Sequence, residues 1–136
     1  MACSACGSES TIAVSVPEEY REYAPDAASV VRICSRCLTV GPVAADAVSD
    51  RDDGPDFSSI GEAFPTRPAS AVPLALALDL CSSLATNREA IEALLLAVEH
   101  DGTDPLLVID RLASDSSIEP AIDLERRRHQ LEQLLY

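Results

Sequence analysis

The chain has 136 residues, of which 47% are hydrophobic and only 4% are aromatic, and it contains no tryptophan. Its 23 acidic residues outnumber its 10 basic ones, and the formal net charge at pH 7 is −13. The hydrophobic share excludes a globally disordered chain, and the charge opposes binding to nucleic acids or anionic membranes unless a local basic face offsets it. The core must be built from aliphatic side chains, which suits helical packing.

The acidic surface also bears on the solvent in which the protein works. All ten basic residues are arginine and none is lysine. An acidic, lysine-free surface is the adaptation expected in molar salt, where the Debye length is only about 3 Å, and in that habitat the charge argues less strongly against nucleic acid. The chain shows no secretory segment at its start and no apolar run long enough to span a bilayer, so we expect a cytoplasmic protein.

Two short cysteine motifs are the strongest chemical signal in the sequence. Two residues separate the cysteines of each pair, so that a tight turn directs both sulfurs to one point, and a second such turn completes a tetrahedron. The spacing therefore predicts a structural zinc ion with four ligands, namely Cys3, Cys6, Cys34 and Cys37. Gly7 after the first pair favours a left-handed turn, whereas Leu38 departs from this pattern after the second pair.

Other uses of these cysteines are less favoured. Two disulfides would need an oxidising compartment, and the sequence shows no secretory segment that would direct the chain to one. A redox dithiol fits poorly because no βαβ pattern surrounds either pair, and iron is less typical of this spacing than zinc. The fifth cysteine, Cys81, lies in an apolar run and is predicted to be a small buried hydrophobic residue.

The residues around the two motifs predict a three-stranded zinc ribbon with a short helical insert. Residues 11–16 are rich in β-branched side chains and end at Pro17, which indicates a strand. Pro17 followed by two glutamates favours a short helix that stops near Pro25. Residues 30–33 and 38–40 are the second and third predicted strands, on either side of the second motif.

Residues 45–71 differ in composition from both flanking parts. Aspartate, serine, proline and glycine interrupt this stretch, and such a sequence cannot bury enough apolar surface to order itself. We therefore predict an acidic linker between a zinc ribbon over residues 1–44 and a helical module over residues 72–136. Three large apolar residues are expected to pin the linker locally, namely Phe57, Ile60 and Phe64. The aspartates lack the spacing of a calcium-binding EF-hand loop.

Four short helices are predicted in the helical module, which gives the whole chain an α+β fold. Pro73 is a natural first residue for the first helix, whose residues 74–84 are apolar nearly all round and should be buried. Thr86 and Glu89 have the spacing of a capping box and predict the start of the second helix. Gly102 is expected to end it in a left-handed conformation.

The last two helices follow directly. Asp104 as N-cap and Pro105 at the first position predict a helix through Leu112. Residues 121–135 carry leucines along one edge and predict the final helix. It contains a basic run, residues 126–128, which we expect to pair with acidic residues one turn away rather than to bind phosphate. The acidic residues within reach are Asp123, Glu125 and Glu132.

Four segments together resemble a known family. They are the opening Met-x-Cys-x-x-Cys-Gly, the proline-led Glu-Glu-Tyr-Arg-Glu-Tyr insert at residues 17–23, residues 33–38, and the end Arg-Arg-Arg-His-Gln-Leu-Glu-Gln-Leu-Leu at residues 126–135. They resemble a family of small uncharacterised proteins from halophilic archaea, and the resemblance covers most of the chain outside the linker. It implies a zinc-ribbon start, a salt-rich cytoplasm and no known activity.

The sequence leaves three classes of function. We favour a non-enzymatic protein-interaction module or regulatory adaptor, in which zinc holds the ribbon and the helical module docks a protein partner or a second copy. A nucleic-acid-binding or transcription-associated zinc ribbon is the alternative, with Arg21, Arg32, Arg36 and residues 126–128 as contacts. Five acidic residues against three arginines in the first 44 residues oppose it. An enzyme is not expected, because no catalytic constellation or open metal position is visible.

Overall fold

The computed structural model describes residues 6–7, 11–43, 57–60, 63–116, 118–119 and 123–135. Within these ranges, a three-stranded antiparallel sheet is followed by four α-helices. The predicted α+β fold is therefore confirmed.

The sheet has the strand order β1-β2-β3, with β1 at Thr11–Ser15, β2 at Val30–Cys34 and β3 at Val40–Pro42. Its register pairs Ile12 with Ile33 and Val14 with Val31, and Val40 lies opposite Ile33 on the other side of β2. Because side chains alternate across a strand, these residues share one face, and this face packs on the core. The alternation in the sequence thus fixed which face is buried.

The chain between β1 and β2 forms the predicted short helix, in 3-10 geometry. It covers Glu18–Tyr23 and ends before Pro25, and a second 3-10 turn covers Pro25–Ala27. Asp26 and Ala27 both have a positive φ, of 56° and 52°, which interrupts helical geometry at this point. Tyr20 and Tyr23 pack against the core from outside it.

The first helix, α1 at Pro68–Leu80, begins earlier than predicted. The predicted start at Pro73 is wrong, because Pro73 lies inside the helix and Pro68 takes the first position. An internal proline removes one backbone hydrogen bond and normally weakens a helix. Here every residue from 70 to 78 is buried, so packing of the whole helix surface outweighs the local loss. The prediction that this helix is buried nearly all round is confirmed.

The other helices are α2 at Arg88–His100, α3 at Pro105–Ala113 and α4 at Leu124–Leu135. The capping box at Thr86 is wrong, because Asn87 is the N-cap of α2 and makes no side-chain capping hydrogen bond. Its amide instead donates to the carbonyl of Leu80. The last helix begins at Leu124 rather than at residue 121.

Two predicted helix ends are confirmed in atomic detail. Gly102 has a φ of 91°, its N–H donates to Glu99, and the N–H of Thr103 donates to Val98. This pair of bonds is a Schellman motif, which satisfies the last carbonyls of α2. At the start of α3, the carboxylate of Asp104 accepts hydrogen bonds from two backbone amides, at 3.1 and 3.2 Å.

One hydrophobic cluster joins the sheet to the helices. It contains the inner face of the sheet, the helix faces and the three apolar residues of the predicted linker, namely Phe57, Ile60 and Phe64. The rings of Phe57 and Phe64 stack with centroids 6.4 Å apart. Residues 44–56 and 61–62 lie outside the described residues, and the division into ribbon, linker and helical module stays a prediction.

A polar contact also ties the sheet to α1. The partly buried carboxylate of Asp79 accepts a hydrogen bond from the backbone amide of Val40 in β3. Burial raises the pKa of Asp79, and the hydrogen bond from Val40 opposes this increase. Since the strand that follows the second cysteine motif is held in this way, Asp79 helps to position that motif against the helices.

Asp79→Asn is expected to raise the melting temperature at pH 7 by about 2 to 4 °C. A raised folded-state pKa means that the contribution of Asp79 is fully present below its unfolded pKa and is lost as pH rises through the folded value. Asparagine keeps an acceptor for Val40 but never ionises, so the gain should shrink as the pH falls towards 4. Thermal melts of the variant across this pH range measure the effect.

Glu92→Gln, at an exposed position of α2, removes the same charge and serves as the control. An equal gain in both variants would show that only the net charge matters, and a lower melting temperature for Asp79→Asn would contradict the interpretation.

Candidate metal centre

Three of the four predicted ligands meet at one point in the structure. The Sγ atoms of Cys6, Cys34 and Cys37 all lie within 4.8 Å of one another, and those of Cys6 and Cys34 are 3.6 Å apart. Sulfurs at about 2.3 Å from a tetrahedral zinc ion are separated by about 3.8 Å, so this spacing suits a shared metal. It is far too long for a disulfide. Cys3, the fourth predicted ligand, lies outside the described residues.

The backbone of the second motif is shaped by a tight turn at the end of β2. The N–H of Leu38 donates to the carbonyl of Cys34, and the N–H of Cys34 donates to the carbonyl of Thr39. Inside this turn, the N–H of Cys37 lies 3.5 Å from the Sγ of Cys34 and donates to it. A backbone donor directed at the sulfur helps to fix the position of this predicted ligand.

The residue after each cysteine pair adopts a left-handed conformation. Gly7 has a φ of 77°, as predicted, and Leu38 has a φ of 64°. The left-handed region costs a residue with a side chain about 1 to 2 kcal/mol. Leu38 is buried in the core, and this packing holds it in place. Leu38 therefore differs in residue type from Gly7 of the first motif but has the same left-handed backbone conformation.

The surroundings of the three sulfurs are unequal. Cys34 and Cys37 are 1% and 4% exposed, whereas Cys6 is exposed. The hydroxyl of Thr39 lies 3.0 Å from the Sγ of Cys37. The buried second motif would shield a metal bound here from solvent on one side. The hydroxyl of Thr39 would help to hold the Sγ of Cys37 in position.

Arg36, between Cys34 and Cys37, carries a positive charge next to the sulfurs. Its guanidinium forms an ion pair with Glu119 at 3.0 Å. The pKa of Arg36 is raised, chiefly by its hydrogen bond and attraction to Glu119 and less by the thiols of Cys6 and Cys34. A centre of several thiolates and one dication is negative, so a nearby arginine favours the loaded state.

Cys81 takes no part in this site. Its side chain is fully buried in the core, and burial raises its pKa to about 11. A thiol in this environment stays protonated at neutral pH and is inert. The prediction that Cys81 is a small buried hydrophobic residue is confirmed.

Comparison with known proteins gives a family and no activity. Residues 2–135 match the model of DUF6276, which is described as a family of unknown function. The chain belongs to this family. No curated protein and no solved structure matches it significantly.

Other candidate features of this DUF6276 chain have structural roles where the structure describes them. Arg128 pairs with Glu132 at 3.5 Å, as predicted, and with Asp110 of α3 at 3.6 Å. Arg127 donates to Gln130. Within the described ranges, the three cysteines are the group of ligand-type side chains close enough to hold a metal ion. No helix among these residues is long and apolar enough to cross a membrane.

Sequence reasoning missed two residues next to the centre. Thr39 contacts Cys37 through its side chain, and its position two residues after a cysteine was the signal that could have indicated it. Glu119 reaches Arg36 from the far end of the chain, and no pattern in the sequence relates the two.

Proposed function

We propose that this DUF6276 protein is a non-enzymatic zinc-ribbon protein whose metal has a structural role. The observation that carries the proposal is the convergence of the Cys6, Cys34 and Cys37 sulfurs at the end of a three-stranded sheet. Cys3, three residues before Cys6 in the sequence, would supply the fourth ligand. Soft thiolates in a tetrahedron select zinc among the common divalent ions.

A closed set of four ligands argues against catalysis at the metal. Catalytic zinc keeps a position for water or substrate, whereas four cysteines occupy every position of the tetrahedron. The metal then contributes by holding the start of the chain against the second motif. The role proposed for it is to shape a surface and not to activate a substrate.

The proposed activity is protein interaction through the helices, as an adaptor or regulatory protein. Two leucines support it, because Leu96 of α2 and Leu107 of α3 are 49% and 45% exposed. Burying a fully exposed leucine is worth about 1.5 to 3 kcal/mol, and about half of that remains to be gained by side chains that are half buried already. A protein partner or a second copy of the chain would cover them. The lysine-free acidic surface favours a salt-rich cytoplasm as the setting.

Nucleic-acid binding through the ribbon is less well supported. Arg36 pairs with Glu119, and the Nε of Arg21 donates to the carbonyl of Val16. The guanidinium of Arg32 lies across Gly41, where an added Cβ would come within 2.9 Å of it. These ribbon arginines are engaged within the fold, which leaves less positive charge to meet phosphates.

Zinc analysis and metal removal test the structural metal. The purified protein is expected to hold one zinc ion, and Cys34→Ser should lose it and unfold the ribbon, because structural zinc contributes on the order of 10 kcal/mol to such folds. Metal analysis and thermal melts with and without chelator give the result. Cys81→Ala also removes one thiol, but it should keep the zinc. Identical melting with and without chelator would contradict the proposal.

Photo-crosslinking tests the interaction role. A photoreactive residue in place of Leu96 or Leu107 should give a discrete adduct in cells of the source organism, because both side chains would lie under the partner. Glu19 in the 3-10 helix after β1 and Glu125 in α4 are exposed positions on other elements and serve as controls, because residues one turn from Leu96 or Leu107 would lie under the same partner. Equal labelling at all four positions, or none at the leucines, would rule out this surface.

A further inference from the structure

The turn that carries two of the cysteines is fastened to the segment before α4. The N–H of Glu119 donates to the carbonyl of Arg36 at 2.7 Å, and the carboxylate of Glu119 pairs with the guanidinium of Arg36 at 3.0 Å. Glu119 therefore contacts both the backbone and the side chain of Arg36. Arg36 lies inside the second motif, between Cys34 and Cys37.

The residue next to Glu119 is buried in the hydrophobic core. Ile118, next to Glu119, is 5% exposed and belongs to the main hydrophobic cluster. Residues 118–119 lie between α3 and α4, and these two helices pack on each other through contacts that include Arg128 and Asp110. The position of the turn is therefore linked to the connection between the last two helices.

The direction in which the Arg36 carbonyl points depends on the turn, and the turn depends on its cysteines. When Cys34 and Cys37 bind one ion, the backbone between them is fixed, and the carbonyl is held where Glu119 can donate to it. Without the ion, the two sulfurs are free to separate and the turn can relax. The half-exposed ion pair alone is worth little, since Arg36 and Glu119 are 50% and 69% exposed.

We propose that Arg36 couples metal binding at the cysteine centre to the docking of residues 118–119, so that the loaded centre holds Ile118 and Glu119 in place. This inference rests on the proposed metal site and adds a regulation of it. Coupling of this kind is reciprocal: the factor by which metal binding strengthens the docking of Glu119 is the factor by which that docking strengthens metal binding. Loss of the metal would then loosen residues 118–119 as well as the cysteine turn.

The zinc affinity of the full-length protein tests the coupling. Equilibrium competition with a chromophoric chelator is measured for the wild type, Arg36→Gln, Glu119→Gln and the double variant. Arg36→Gln should weaken zinc binding about tenfold, the lower end of the effect of groups that support metal ligands. Glu119→Gln should weaken it about twofold to fivefold, as expected for an exposed ion pair. In the double variant, loss of Glu119 should add nothing, because it acts through Arg36.

Two matched controls remove the same charges elsewhere. Arg111→Gln on α3 and Glu92→Gln on α2 change exposed positions and should bind zinc with the wild-type affinity. An unchanged zinc affinity in Glu119→Gln, or fully additive effects in the double variant, would overturn the coupling. A purified protein without zinc would instead overturn the metal site itself, so the two failures are distinct.

Hydrogen exchange provides a readout that does not depend on charge. In the zinc-loaded protein, the Glu119 amide should be protected by its bond to Arg36, and chelation should speed its exchange about tenfold or more by local opening. Amides in the middle of α2, such as that of Leu95, should keep their rates. Equal exchange of Glu119 in both forms would overturn the proposal, and so would a uniform rise that includes Leu95.

Discussion

The convergence of cysteine sulfurs from two distant turns is the constraint on which the ribbon depends. β1 and β2 have five residues each and β3 has three, and a sheet of this size is marginal by itself. One face packs on α1 and the core, but the end that carries the cysteines lies at the edge of that packing, where Cys6 is exposed. A metal ion at this end would join the first cysteine motif to the second.

The helices support this centre through specific contacts. Asp79 accepts from the backbone of Val40, and Glu119 holds both the carbonyl and the guanidinium of Arg36. The two contacts hold Val40 and Arg36, which lie on either side of Leu38. Leu38 has a left-handed backbone conformation and a buried side chain. Strain at one residue is tolerated where its neighbours are held from several directions. The ribbon and the helices therefore share one core and a common set of polar contacts.

The sequence predicted those features that depend on interactions between residues close together in the chain. Cysteine spacing indicated the turns, and the helix ends at Gly102 and Asp104 follow from backbone geometry within a few residues. The failures came where tertiary packing outweighs a local preference. Pro73 lies inside α1 because the whole helix is buried, and the contact of Arg36 with Glu119 joins residues that no periodicity relates. The fold class was thus accessible from the sequence, while the contact that holds the second cysteine turn from residues 118–119 was not.

X-ray absorption at the zinc edge of the purified protein tests the central claim most directly, because it counts and identifies the atoms around the metal. The account predicts a single shell of four sulfur atoms at about 2.3 Å from zinc. Nitrogen or oxygen in that shell would indicate an open or different site. Such a shell, or the absence of zinc from the protein, would contradict a closed centre built from Cys3, Cys6, Cys34 and Cys37.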